Sequence, residues 1–355
     1  MAWQGLRLAW GIFRVNVLSL FDGMSCGMIA LERAGIKVTS YCASEVDAHA
    51  IKVSNANYPQ ILRLGDVRGV KSSELPQIDL LIGGSPCQGF SFAGKQLNFD
   101  DPRSKLFFEF VRLLRECKPR YFLLENVKMK KEYQDVISDA LGVRPILINS
   151  SLVSAQNRNR LYWTNIPDVA QPDDKNLALS DVLESGVVDR DKSFCLDANY
   201  RKGGNLKSYF EKHRRQLVFE AKNKKQVVIN HDDLGEPRTF YEDRTEEGKA
   251  TRAPIRKTTG RDSTLRQPGH KQYSVQKHGK ANCLVTVDSF LNWVIDPDYY
   301  VRKLLPVEAE RLQTVPDGYT GSVSDTQRYR MLGNGWTVDV IAHILRSIPD
   351  HETRL

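Results

Sequence analysis

The sequence is poor in the features that mark a disulfide scaffold, a metal centre or a membrane span. Its six cysteines, Cys26, Cys42, Cys87, Cys117, Cys195 and Cys283, are scattered over 355 residues with no Cys-x-x-Cys pair. With no histidine at metal-ligand spacing beside them, neither a structural zinc site nor a disulfide framework is expected, and no bound metal. The fairly apolar start, MAWQGLRLAWGIFRVNVLSLF, is broken by Arg7 and Arg14 and runs straight into strand-like sequence. A signal peptide and a membrane span are both poor fits, so an intracellular protein without a membrane partner is expected. Internal repeats and long low-complexity tracts are also missing.

What is present is ample for a full core. The chain is 41% hydrophobic with a mean hydropathy of -0.42, and its length suits one large domain plus a smaller one. Net charge is +8, unevenly spread: residues 201–280 hold 20 Lys and Arg against 10 Asp and Glu, leaving the remainder slightly acidic. A basic run is often only a solvated face. Here Tyr200, Tyr209, Phe210, Gly203 and Gly204 interleave it, which favours a surface for a polyanion.

From about 14 to 167, short apolar runs alternate with helical periods. Strands are expected at Val15–Leu20, Val38–Ala43, Ile78–Ile82, Tyr121–Leu124 and Ile146–Asn149, and helices at Gly27–Ala34, Asp47–Asn57, Ser104–Glu116 and Glu132–Leu141. That alternation predicts an α/β doubly wound, mostly parallel sheet whose strand tips gather at one edge. From about 170 to 300 periodicity fades. A small irregular domain is expected there, with short extended pieces such as Gln226–Ile229 and Leu284–Val287. Helical character returns at Pro306–Leu312 and at Thr337–Ser347, where Val338, Ile341 and Leu345 share a face.

The chemistry gathers at the strand tips. The first leads into Phe21-Asp22-Gly23-Met24-Ser25-Cys26-Gly27, which lets a ligand approach the backbone but lacks the spacing of a Gly-x-Gly-x-x-Gly dinucleotide fingerprint. Glu45, just past the second strand, could hold ribose hydroxyls, and Asp66 in Leu64-Gly65-Asp66-Val67 could accept from an adenine amino group. A nucleoside cofactor without a phosphate loop suggests S-adenosylmethionine.

The next tip reads Gly83-Gly84-Ser85-Pro86-Cys87-Gln88. A lone cysteine is usually a small hydrophobe in a core, but these flanking loop formers suit a nucleophile held at a strand end. Glu125, in Leu124-Glu125-Asn126-Val127, follows at the neighbouring tip, either as an edge charge or as a partly desolvated acid paired with Cys87. In Gln156-Asn157-Arg158-Asn159-Arg160 the two arginines alternate, so on an extended segment they point the same way and could clamp a phosphate and a base carbonyl.

Together these residues resemble the DNA (cytosine-5)-methyltransferases, with motifs in family order from about Val15 to Leu345. They are Phe21-x-Gly23, Glu45, Asp66, Pro86-Cys87-Gln88, Asp101-Pro102-Arg103, Glu125-Asn126-Val127, Gln156-x-Arg158-x-Arg160, Glu308-x-x-Arg311-Leu312-Gln313 and Gly333-Asn334. Leu20-Phe21-Asp22-Gly23, Ala43-Ser44-Glu45-Val46 and Trp336 make the chain similar to the de novo-type animal enzymes and their phage and bacterial relatives. Ser25-Cys26 stands where many bacterial members have two glycines.

The resemblance implies a Rossmann-like S-adenosylmethionine-dependent fold formed by residues 14–167 with 301–348, and a target-recognition domain at 168–300. It implies catalytic roles for Cys87, Glu125, Arg158 and Arg160, and cofactor contacts from Phe21, Gly23, Glu45, Val46, Asp66, Val67, Pro86, Asn334 and Trp336. Gln88, Ser91, Arg103, Arg201, Lys202, Lys207, Arg214 and Arg215 become the expected contacts to double-stranded DNA. A cognate restriction endonuclease acting on the same site, and the cytoplasm of a bacterial or phage-infected cell, belong to the same picture. Three alternatives stay open: a tRNA cytosine-5 methyltransferase, although Cys195 is followed by Leu196-Asp197 rather than the Phe-Thr of eukaryotic tRNA-acting members; a DNA-binding homologue without activity; and a Rossmann-type oxidoreductase.

Overall fold

The computed structural model describes residues 14–86, 102–204, 206–221, 240–244, 271–275 and 299–349. Its centre is a seven-stranded sheet of β1 (Arg14–Leu20), β2 (Lys37–Ser44), β3 (Leu62–Gly65), β4 (Leu80–Gly83), β5 (Tyr121–Val127), β6 (Ile146–Asn149) and β7 (Asn159–Thr164), in the order β3-β2-β1-β4-β5-β7-β6. β7 alone runs antiparallel to its neighbours, β5 and β6. β1 lies between β2 and β4, both parallel to it, so the winding reverses direction there. Open α/β sheets form their ligand crevice at such a reversal, beyond the carboxyl ends of the strands.

Helices cover both faces. α1 (Cys26–Ala34) packs against the C-terminal helix Val338–Arg346 on one side. On the other side lie α3 (Pro102–Cys117) and α4 (Lys131–Leu141), where Phe107, Phe110, Leu113 and Ile137 are fully buried under the sheet. Burial on both faces explains why the strands read as continuous apolar runs rather than alternating ones. α2 (Ala48–Asn57) starts on Asp47, whose carboxylate accepts from the His49 and Ala50 amides and stops the helix fraying.

Beyond the sheet, α5 is Leu206–Lys212, α6 Pro306–Leu312, α7 Asp325–Asn334 and α8 Val338–Arg346, while β8 (Leu217–Ala221) pairs antiparallel with β11 (Tyr299–Lys303). That pairing returns the chain from the basic stretch to the sheet. β9 (Phe240–Arg244) and β10 (Lys271–Val275) form a separate antiparallel pair. No helix among the described residues is long and apolar enough to cross a membrane.

The expected elements are found with modest shifts. The fourth strand begins at Leu80 rather than Ile78 because Asp79 turns its carboxylate to the Asn16 amide, a donor the ladder would otherwise use. β3, β7 and α7 lie outside the expected elements; α7 is polar enough, Asp-Thr-Gln-Arg-Tyr-Arg, to lack a clear apolar stripe. Gln226–Ile229 and Leu284–Val287 lie outside the described residues.

Candidate active site

At the carboxyl edge of the sheet the turn after β1 is held in an unusual backbone. Phe21, Gly23 and Ser25 all have positive φ, 57°, 59° and 63°. Glycine adopts this freely; Phe21 and Ser25 do so against steric cost, so their surroundings must fix them. The fixing group is Asp22, buried beneath the turn. Its carboxylate accepts hydroxyl hydrogen bonds from Ser19 at 2.7 Å, Tyr41 at 2.7 Å and Ser25, with the Arg63 guanidinium 3.5 Å away.

The turn opens into a cavity of about 390 Å³ lined from the tips of β1, β2, β4 and β5, the start of β7, and α7 with the turn that follows it. At one end stands Glu45. One carboxylate oxygen accepts from the Gly23 amide at 2.8 Å, the other from the Val46 and Asp47 amides at 2.7 and 2.8 Å. The acid is therefore pinned by backbone while keeping acceptor capacity toward the cavity. Beside it Val46 is 70% exposed, an apolar side chain left uncovered at the cavity wall.

At the opposite end stands Glu125, largely buried on β5. Arg160 Nε lies 2.9 Å from one of its oxygens, and the Trp336 indole N–H donates to the other at 3.2 Å. The pair with Arg160 follows from register. Val127 faces Arg160 across the antiparallel ladder and Glu125 faces Tyr162, so Glu125 and Arg160 are diagonal neighbours on one face. Because β7 is antiparallel, its beginning reaches the edge where β5 ends. Gly84 completes this end: a Cβ there would meet Trp336 Nε1 at 2.9 Å and a Glu125 oxygen at 3.1 Å, so only glycine lets the loop pass.

Arg158 lines the same cavity, as alternation requires, but its guanidinium is taken up by the protein. It donates to the carbonyls of Leu196 at 3.0 Å, Gly333 at 3.1 Å and Gly335 at 2.8 Å, and to Cys195 Sγ at 3.3 Å. It thus ties the 195–198 loop to the turn after α7. Gly333 packs so closely on that loop that a Cβ would sit 2.3 Å from the Asp197 carbonyl carbon. Burial opposes ionisation of Cys195, yet the Arg158 and Arg160 charges bring its thiol below the ordinary range. Cys26 goes the other way: burial pushes it up to about 12, against the opposing pull of the Trp336 backbone.

Of the expected cofactor residues, Phe21, Gly23, Glu45, Val46, Pro86, Asn334 and Trp336 line the cavity. Asp66 and Val67 do not. Asp66 caps a short turn and is bound by Arg68, which holds its carboxyl down at about 2, while Val67 is buried under the sheet's other face. Sequence spacing could not show that a neighbouring arginine occupies the acid. Cys87, Gln88 and Ser91 lie outside the described residues; Arg103 and Lys207 sit on α3 and α5, with side chains outside them. Arg201, Lys202 and Arg214 are exposed, and Arg215 pairs with Asp197 at 3.3 Å.

Asp47, Asn126, Gln327 and Arg330 were not anticipated. Asn126 donates to Ser85 Oγ at 3.1 Å and so steadies the loop that precedes Cys87; its place in the Glu-Asn-Val motif was the available signal. Gln327 and Arg330 line the cavity from α7, which gave none.

Residues 15–350 match the model of the C-5 cytosine-specific DNA methylase family. The chain belongs to that family. Its relatives include the orphan methyltransferase M.SPRI of Bacillus phage SPR, 27% identical over 427 aligned residues covering 94% of this chain and 97% of that one. The type II methyltransferase M1.ScrFI of Lactococcus lactis subsp. cremoris is 28% identical over 349 residues, covering 92% and 76%. Among solved structures, the Entamoeba histolytica methyltransferase EhMeth matches with a TM-score of 0.61 at 15% identity, covering 94% of this chain and 98% of that one. The S. pombe Dnmt2 methyltransferase matches at 0.57 and 16% identity, covering 94% and 97%. At these identities the structural likeness establishes the family's fold: a Rossmann-like, mostly parallel α/β sheet flanked by helices.

Proposed function

We propose that the chain transfers a methyl group from S-adenosylmethionine to C5 of cytosine in a short, specific double-stranded DNA sequence, with the base flipped out of the helix. The observation that carries this reading is one cavity with Glu45 held by three backbone amides at one end and Glu125 held by Arg160 and Trp336 at the other. The first end suits a nucleoside: Glu45 can accept from ribose hydroxyls, and the uncovered Val46 and Phe21 give an apolar wall for a planar base. Pro86, Asn334 and Trp336 would flank the reacting end. The cofactor supplies an electrophilic methyl on a sulfonium.

The other end suits a cytosine. Its C5 is a poor nucleophile because electron density is drawn toward N3 and O2. Attack of the Cys87 thiolate on C6 removes that obstacle by making C5 enamine-like. Glu125 would hydrogen-bond N3 and the exocyclic amine, stabilising the protonated ring, and Arg160 would hold both Glu125 and the base O2. C5 then takes the methyl as the sulfonium C–S bond breaks to leave a neutral thioether; a base removes the C5 proton, and elimination breaks the C6–S bond to give 5-methylcytosine and the free thiol. Pro86, the covalent neighbour of Cys87, lines the cavity between the two ends, which supports placing the thiol's chemistry there. Arg158 acts as a positioning residue for the loops around Glu125.

A base within a duplex cannot reach such a cavity, so extrusion is required, at about a few kcal/mol recovered in contacts. The segment 168–300 would bind the DNA, with Arg201, Lys202, Lys207, Arg214 and Arg215 on phosphates and base edges and Gln88, Ser91 and Arg103 near the extruded base. The type II names of relatives fit a partner restriction endonuclease, and the phage relative fits a role without one. The test is C5-methylation sequencing of DNA from cells expressing the wild type and Cys87→Ala. A short motif methylated only by the wild type is expected. Its absence, from a folded protein that binds S-adenosylhomocysteine, would overturn the DNA reading in favour of RNA.

A further inference from the structure

Among the described residues three guanidiniums line the cavity, those of Arg158, Arg160 and Arg330. The first is spent on three carbonyls and a thiol, and the second is paired with Glu125. Arg330 differs. It reaches from α7 across the cavity to α2, where its Nη2 lies 3.0 Å from Asp47 Oδ2, and its side chain is 51% exposed against 29% for Asp47. Asp47 is fixed, because its other oxygen caps α2. Arg330 sits on a long flexible stem and can turn.

This ion pair stands at the acid end, two residues along the chain from Glu45. A nucleoside seated on Glu45 and carrying an amino-acid tail brings an additional carboxylate into a wall that already holds Glu45 and Asp47. That carboxylate needs a cation, and Arg330 is the guanidinium at this end. Resting on the cofactor reading above, we propose that Arg330 binds the α-carboxylate of the methionine moiety of S-adenosylmethionine, leaving Asp47 to receive the α-ammonium. The planar guanidinium meets a carboxylate through two parallel hydrogen bonds, a geometry lysine cannot copy. The zwitterionic tail thus exchanges into an ion pair the protein already makes, so neither Asp47 nor Arg330 loses a partner. α7, whose Tyr329, Met331 and Leu332 are buried in the core, thereby contributes to cofactor binding through its exposed face as well as through Asn334 at its end.

The experiment is titration calorimetry on the full chain with two probes: S-adenosylhomocysteine, which carries the tail, and 5′-deoxy-5′-methylthioadenosine, which lacks its carboxylate and ammonium. Arg330→Gln is expected to weaken the first about five- to tenfold, the half-exposed setting limiting the effect, and to leave the second unchanged. Arg330→Lys should recover part of the loss. Equal weakening of both probes would show that Arg330 only holds α7 against α2 and would overturn the assignment, as would undiminished binding of S-adenosylhomocysteine. Failure of the wild type to bind either probe would instead sink the cofactor reading, and this assignment with it.

Discussion

The two ends of the cavity fix a glutamate by opposite means. Glu45 is held by the amides of the next two residues and by that of Gly23, 22 residues earlier on the adjacent strand tip. Glu125 is held by an arginine from the antiparallel strand and a tryptophan 211 residues away in sequence. Asp22, Glu45 and Asp47, with Arg330 paired to Asp47, gather at one end, and Glu125 with Arg158 and Arg160 at the other; burial pushes the Cys26 thiol up, while the Arg158 and Arg160 charges bring that of Cys195 down. A site held by local backbone survives changes elsewhere in the fold, whereas one assembled from distant side chains depends on every element that brings them together.

The largest effect is expected from Glu125→Gln, which keeps the shape and removes the charge. Methyl incorporation into DNA should fall by about 10²- to 10⁴-fold while thermal melting stays near that of the wild type. A rate that merely tracked lost stability would reduce the guanidinium-rich end to a structural knot. Next comes Arg158→Met, which fills the volume but takes the guanidinium from the Leu196 and Gly333 carbonyls and leaves Gly335 only the Gln313 amide at 3.2 Å. Urea unfolding should show a loss of about 2–4 kcal/mol, and S-adenosylhomocysteine affinity should fall less than activity, since Glu45 does not depend on that tie.

Glu45→Gln tests the backbone-held end. Its amide nitrogen cannot accept from three backbone N–H groups and ribose as the carboxylate does, so S-adenosylhomocysteine should bind about tenfold more weakly. Stability should change little; a large stability loss would show that this end, too, is a tertiary assembly. The smallest effect concerns the thiols. With methyl methanethiosulfonate near neutral pH and peptide mapping, Cys195 should modify ahead of Cys26, and Arg160→Ala should narrow the gap. The sign follows from charge: a thiol drawn below its ordinary range holds more thiolate at that pH, and one pushed to about 12 holds almost none. Faster modification of Cys26 would show that its burial does not hold its thiol up.

Much of this was legible in the linear chain, for identifiable reasons. The alternation of apolar runs with helical periods announces a doubly wound sheet, because strands buried on both faces must be apolar throughout. The turn glycines and the acid after β2 point to the edge where the cavity opens, because each lies within a few residues of a strand end. Alternation also placed Arg158 and Arg160 on one face. It could not separate their fates: one meets the carbonyls of Leu196, Gly333 and Gly335, the other meets Glu125, and those partners are set by strand order and by a turn more than 170 residues distant. Asp66 does not line the cavity and is bound by Arg68 two residues along, because which charge reaches an exposed carboxylate depends on rotamers that spacing does not encode.

By itself, then, the sequence determined the fold class, the edge of the sheet where chemistry collects and the residue types that carry it, all of which follow from local periodicity and short-range chain geometry. Only the tertiary structure decided that Glu125 sits between Arg160 and Trp336, that Arg158 donates to the Leu196, Gly333 and Gly335 carbonyls, and that Arg330 meets Asp47. Each of those contacts joins segments distant in the chain, and their meeting is fixed by strand order, antiparallel register and helix packing, which no local pattern records.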